Sequence, residues 1–170
     1  MEQTVQRWIS QLALQPHPEG GYYKEVIKGN LDKDMDRAAY TSIYFLLTYH
    51  NISHFHRIDA DEIWYHHEGD SLTIHMISPN GQYEKVTLGK HIEAGDVLQY
   101  VVPKGTIFAS SVEDENAYAY ALVGCMCQPG FEFEHFELLS KEWLNKHYPE
   151  LTEINERYAL TADEIEKNNK

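Results

Sequence analysis

The sequence predicts an all-β protein with short helices at both ends. Three observations carry that expectation. Twelve tyrosines and six phenylalanines favour strands over a helix bundle. Turn residues recur between short apolar runs and divide the chain into about eight to ten strands at regular spacing. No long amphipathic segment separates successive strands, as a parallel α/β sheet would require. Such a pattern favours a closed or double-sheet antiparallel architecture, because that arrangement hides sheet edges.

Thr4–Leu14 predicts a helix, with Val5, Trp8, Ile9 and Leu12 on one apolar stripe and Thr4 as its cap. The Pro16–Gly21 turn ends it. Tyr22–Ile27 reads as a strand, and the charged Gly29–Arg37 as a surface loop. Ala39–Thr48, a strand around His54–His56, Glu62–Glu68 and Ser71–Ser78 follow as β-rich runs. Asn80-Gly81 signals a tight hairpin, since both residues tolerate the positive φ of a type I′ turn. Tyr83–Leu88, Val97–Val102, Thr106–Ser111 and Ala117–Cys127 continue the series, with a polar turn at Glu113–Asn116. Phe131–Leu138 adds a strand. Ser140–His147 and the weaker Thr152–Leu160 read as helices, and Thr161-x-x-Glu164 as a capping box ahead of a polar, frayed end.

A chain of 170 residues fits one domain: a helix in 1–15, strands in 16–139 and a helical extension in 140–170. No apolar run approaches the ~18 residues of a membrane span. The start, MEQTVQRWISQ, lacks the cationic and apolar regions of a secretory leader. The two cysteines, Cys125 and Cys127, are badly spaced to bridge within a strand, so a reduced, cytoplasmic protein is expected. A net charge of −13 argues against nucleic acid or anionic lipid as partner.

Chemistry concentrates in Ser53–Gly69. His54 and His56 are two apart, which in a regular strand places both imidazoles on one face. With Glu62 they form a set suited to a divalent metal or to acid–base work on a small ligand. Spacing alone leaves open a duller reading: two hydrogen-bonded strand histidines and an exposed Glu62. His66 shares parity with Glu62 and Trp64 and is expected to face inward, whereas His67 and His75 read as structural. Among the aromatics, one or two of Tyr44, Trp64, Tyr100, Phe108, Tyr118 and Tyr120 are expected to line a cavity. Cys125 and Cys127 read as packed thiols.

These residues resemble a known family. His54-x-His56, Glu62 and Gly69 resemble the first cupin motif, and Gly95 through Pro103-Lys104-Gly105 the second. The wider chain is similar to the cupin_5 family. The likeness is carried by Pro16–Tyr22, Ser42–Thr48, Phe55–Trp64, Gly124–Phe131 and Phe136–Leu138. The resemblance implies a jelly-roll β-barrel, commonly a homodimer, with a small-molecule pocket inside and similarity to nucleotide-sugar epimerases and seed-storage cupins. It also places His17 and Glu19 near the pocket mouth. Metal-binding cupins usually carry a histidine where this chain has Phe108, and the spacing from His56 to Glu62 is longer than usual.

Four readings follow from residues and resemblance together. In the first, the chain holds a sugar-like or nucleotide-sugar-like ligand in a pocket built by His54, His56, Glu62, His66, Phe108, Tyr44 and Tyr120, with His17 and Glu19 at its mouth. In the second, His54, His56 and Glu62 bind iron, manganese or zinc for oxygenase or isomerase chemistry. In the third, His56 is the base of an epimerase-like reaction. In the fourth, the pocket binds without catalysis. Fold alone does not choose among them.

Overall fold

The structure, a computed structural model, describes residues 3–114 and 116–170. The first two residues of the predicted N-terminal region, and Glu115 of the predicted Glu113–Asn116 turn, lie outside the described residues. In chain order the elements are α1 (Gln3–Gln11), β1 (Gln15–Pro16), β2 (Tyr22–Lys28), β3 (Leu31–Asp32), β4 (Arg37–Ala38), β5 (Thr41–Thr48), β6 (Ile52–Ile58) and β7 (Asp61–Gly69). Then come β8 (Leu72–Ile77), β9 (Tyr83–Leu88), β10 (Gln99–Val102), β11 (Ile107–Ser111), β12 (Tyr120–Gln128) and β13 (Phe136–Leu138). Helices α2 (Lys141–His147), α3 (Thr152–Tyr158) and α4 (Ala162–Asn168) close the chain.

Two antiparallel sheets hold the core between them. One has the order β1-β2-β5-β12-β7-β10, the other β13-β6-β11-β8-β9. The strands alternate, so Phe45, Leu47, Trp64, Leu72, Ile74, Phe108 and Val123 from both sheets meet in the middle. Each such side chain, once fully buried, contributes about 1.5–3 kcal/mol by leaving water. The outer face of the first sheet is covered by α1 through Val5, Leu14, Leu46 and Leu122. The outer face of the second lies under α2 and α3, where Phe55, Ile77, Ile107 and Ala109 meet Leu144 and Tyr158.

The sheets remain separate and do not close into a hydrogen-bonded barrel; an isolated bridge between Leu88 and Val97 links their neighbouring edges. Other departures have local causes. The predicted loop at Gly29–Arg37 folds as the β3–β4 hairpin. Arg37 is buried there because its charge is matched: two nitrogens donate to Asp59 at 2.9 and 2.8 Å, and Nε donates to the Gly130 carbonyl at 2.6 Å. At Asn80-Gly81 only the glycine takes positive φ, in a wider loop closed from Ser78 N–H to the Gln82 carbonyl, so the turn is not type I′. Most of Phe131–Leu138 is not strand: Phe133–His135 forms a 3₁₀ turn before the short β13. The polar C-terminus is helical, held by the reciprocal Thr161–Glu164 capping box. Among the described residues, no helix is long and apolar enough to cross a membrane.

Candidate functional site

The site begins at the turn after β1. Gly20 and Gly21 take φ of 115° and 77°, which side-chain-bearing residues avoid. A Cβ on Gly20 would stand 1.9 Å from the Ile52 carbonyl oxygen, so the turn lies directly against β6. The His54 N–H donates to the Glu19 carbonyl at 2.8 Å, and this contact hangs the Glu19 side chain over the strand.

A bulge in β6 then decides which side chains meet it. Phe108 of β11 pairs with His56, and Ser110 pairs with Ser53, so β6 spends one extra residue between the two pairs. The extra residue reverses the parity. Ser53 and His56 both face Glu19, and Phe55 faces the C-terminal helices. The expectation that His54 and His56 share a face is therefore corrected. The His54 ring instead donates Nδ1–H to the Glu19 carbonyl at 2.8 Å, on the side where Glu164 and Lys141 influence its charge.

The hydrogen bonds fix where the protons sit. His56 Nδ1 lies 2.7 Å from the His54 carbonyl, which only accepts, so that nitrogen carries a hydrogen. The lone pair of the neutral ring is then on Nε2, 3.1 Å from Glu19 Oε2. Ser53 donates to Glu19 Oε1 at 2.9 Å. Burial, with Glu62 nearby, pushes the Glu19 carboxyl well above the usual carboxylate range, and burial pushes His56 down to about 4. Both shifts point the same way, toward a carboxylic acid at Glu19 donating to a neutral His56. His17 is likewise neutral: its Nδ1 accepts the Glu19 N–H at 3.2 Å, and burial lowers it to about 3.

Glu62 comes from β7, paired with Cys127 of β12 and Val102 of β10. Burial raises its carboxyl to about 7, against a weaker opposing hydrogen bond from the Cys125 thiol. His17, Glu19, His56, Glu62, Cys125 and Cys127 line one cavity of about 310 Å³, walled on another side by Tyr23, Phe131 and Phe133. Titratable groups poised near neutrality in a buried cleft are the usual equipment of acid–base chemistry.

The remaining predicted positions lie elsewhere. His66 shares the inward parity of Glu62 but sits about 13 Å farther along the strand, where its Nε2 meets the Asp70 carbonyl at 2.9 Å. Phe108 is buried beneath His56, ring centroids 4.1 Å apart, and does not reach the cavity wall. Tyr44 and Tyr120 project from the opposite face of the first sheet, packed in the α1 cluster, where the Tyr120 hydroxyl accepts from Trp8 at 3.3 Å. The sequence reading missed the cavity-lining role of Cys125 and Cys127. Their parity with the inward Val123 on β12 was the available signal. It also missed Tyr23, Phe131 and Phe133.

The metal set expected from His54, His56 and Glu62 does not converge. His54 faces away, His56 has one nitrogen on a backbone carbonyl and the other on Glu19, and Phe108 fills the space below the ring. Among the described residues, the three-donor group with ligand atoms within 4.8 Å of one another is Glu132, Glu134 and His135, at the surface.

Known proteins of this architecture are similar over most of the chain. Protein SO0799 of Shewanella oneidensis is 42% identical and superposes with a TM-score of 0.87, covering 95% of this chain and 99% of that one. The uncharacterized protein YML079W of Saccharomyces cerevisiae is 29% identical over 163 residues, 85% of this chain and 79% of that protein. The Bacillus subtilis oxalate decarboxylase, which has Mn(II) centres, is 17% identical with a TM-score of 0.55 over 87% of this chain and 38% of its own, a likeness of fold alone. The family model for the cupin superfamily group Cupin_5 (DUF985) matches residues 6–139, and the chain belongs to that family.

Proposed function

We propose that the protein is a cupin-fold enzyme that moves protons on a small carbonyl compound bound between its sheets. The single observation that carries this reading is the 3.1 Å contact between Glu19 Oε2 and His56 Nε2 in the wall of a cavity that also holds Glu62.

The chemistry follows from the proton positions. A hydrogen beside a carbonyl passes to Glu19 while Glu19 hands its own proton to His56 Nε2, so the carboxyl stays neutral and the positive charge lands on the imidazole. Ser53 holds the other carboxyl oxygen and the His54 carbonyl holds the ring, so neither group needs to reorient. Glu62, half protonated near neutrality, donates to the oxygen where negative charge develops. Return of the proton completes an exchange or isomerisation. The epimerase-like reading made His56 the base; here Glu19 takes the proton from carbon and His56 is the final acceptor. The manganese of the oxalate decarboxylases is not carried over, because the donors this chain would need face apart.

Deuterium wash-in from heavy water into an added ketose, fructose first, tests the reading by proton NMR. Wild-type protein should catalyse exchange, and Glu19→Gln and His56→Gln should abolish it. Exchange undiminished in both folded variants refutes the assignment.

A further inference from the structure

The wall of the same cavity carries more acidic than basic side chains. Glu19, Glu25, Glu62 and Glu132 line it, and among the described residues Lys24 is the one lysine or arginine on its wall. Proteins hold phosphates and carboxylates with arginine forks, helix N-termini or nests of backbone N–H groups. Among the described residues, no α-helix contributes to this wall. The buried guanidinium of Arg37 is fully engaged by Asp59 and the Gly130 carbonyl. An anion entering here would shed water and meet Glu25 and Glu132 against the single cation of Lys24.

The remaining features fit an uncharged polyol. Gln15, Thr41, Glu19 and Glu62 offer hydrogen-bonding groups, while Tyr23, Phe131 and Phe133 offer ring faces. A sugar has that double character: hydroxyls on its edge, and a C–H face that packs on the negative face of an aromatic ring. The volume of about 310 Å³ is at the low end of ligand pockets, which run from about 300 to 1,000 Å³. That is room for one sugar ring.

We propose that this cavity takes an uncharged, monosaccharide-sized sugar and rejects phosphorylated, carboxylated or nucleotide-linked versions of the same skeleton, because Glu25 and Glu132 outnumber Lys24 on its wall and, among the described residues, neither an arginine nor an α-helix N-terminus faces it. The proposal rests on the reading of this cavity as the protein's site, and of the sugar-like and nucleotide-sugar-like ligands expected from sequence it selects the first.

Saturation-transfer NMR on the full chain at neutral pH provides the test. The probes are matched pairs: fructose and its phosphomonoester, glucose and gluconate, with uridine-diphosphate glucose added. The uncharged member of at least one pair should bind, and its anionic partner should bind at least about tenfold more weakly. The Glu25→Lys/Glu132→Lys double variant, which reverses the charge on that wall, should narrow that ratio. Equal or tighter binding of the anions overturns the proposal, and so does silence of both uncharged sugars. If fructose binds but its exchange survives Glu19→Gln, the catalytic reading falls and the ligand class stands. If exchange is lost in the variants but is seen only with phosphorylated ketose, the ligand class falls and the catalytic reading stands.

Discussion

Glu19 Oε2 lies 3.1 Å from His56 Nε2, and the far nitrogen of that ring donates to the His54 carbonyl at 2.7 Å. The second contact fixes the tautomer of the neutral ring, which leaves Nε2 to accept from the Glu19 carboxyl that burial keeps protonated. A turn residue and a strand residue thus share one proton, and that sharing is the basis of the proposed chemistry.

Glu19→Gln is the mildest way to break it. An amide can still donate to Nε2 and accept from Ser53, so packing survives, but it cannot pass a proton on. The exchange rate should fall by about 10²–10⁴-fold, the usual worth of a positioned acid–base group. Unfolding in urea should stay close to wild type, which separates a chemical defect from a structural one.

The β6 bulge makes His54 and His56 unequal. His54→Ala removes a hydrogen bond to the Glu19 carbonyl and should cost about 1 kcal/mol while exchange persists. His56→Ala should abolish exchange and cost more, because it leaves the buried Glu19 carboxyl without its acceptor. Equal losses in the two variants would contradict the parity reversal.

Stability should peak near pH 6.5. His17, His56 and His75 are held down to about 3, about 4 and about 4, whereas an unfolded histidine titrates at 6.5. Between those values the unfolded chain binds protons that the folded chain refuses, so stability falls as pH drops. Glu62 acts the other way: its folded value of about 7 exceeds 4.5, so the folded chain keeps a proton the unfolded chain has released. Stability therefore falls as pH rises from 4.5 toward 7, and Glu19, raised in the same direction by burial, adds to the loss. Each group contributes at most about 1.4 kcal/mol per pH unit. Below 6.5 the three histidines outweigh the carboxyls; above it only the carboxyls act. Melting temperatures across pH should show the maximum, and Glu62→Gln, which removes a loss spread over pH 4.5 to 7, should move it to higher pH.

Gly20→Ala should injure the site before the core. Its Cβ would collide with the Ile52 carbonyl at a φ that alanine resists, so the Glu19 turn must lift. About 1–3 kcal/mol of stability and nearly all exchange should be lost together, with the two sheets intact by circular dichroism.

Away from the cavity, Tyr158 pins α3 to the second sheet. Its hydroxyl donates to Glu113, and its ring stacks on His75 at 3.9 Å. Tyr158→Phe keeps the stack and loses the bond, so it should cost about 1 kcal/mol in urea unfolding and leave exchange untouched.

Much of the fold was legible in the residues. Tyr83–Leu88 coincides with β9, and the alternation through Leu72, Ile74 and Met76 marks the face that enters the core. The site was less legible, and the reason is local. A bulge is a one-residue insertion without a composition signature, so the period-two rule that joined His54 to His56 failed there. Tyr44 and Tyr120 failed differently: aromatic content says nothing about face, and both pack under α1. His17 and Glu19 were reached through family likeness, since no rule about turns says that one will fold back across a neighbouring strand. Arg37 shows the same limit, because its burial depends on Asp59 and Gly130, far away in sequence.

The most direct test is nitrogen NMR of protein labelled at histidine, followed from pH 5 to pH 8. His56 should remain a neutral ring with hydrogen on Nδ1 throughout, and its Nε2 signal should shift when Glu19 becomes glutamine. A His56 ring that titrates near 6.5, or that carries its hydrogen on Nε2, would contradict the shared proton and the chemistry built on it.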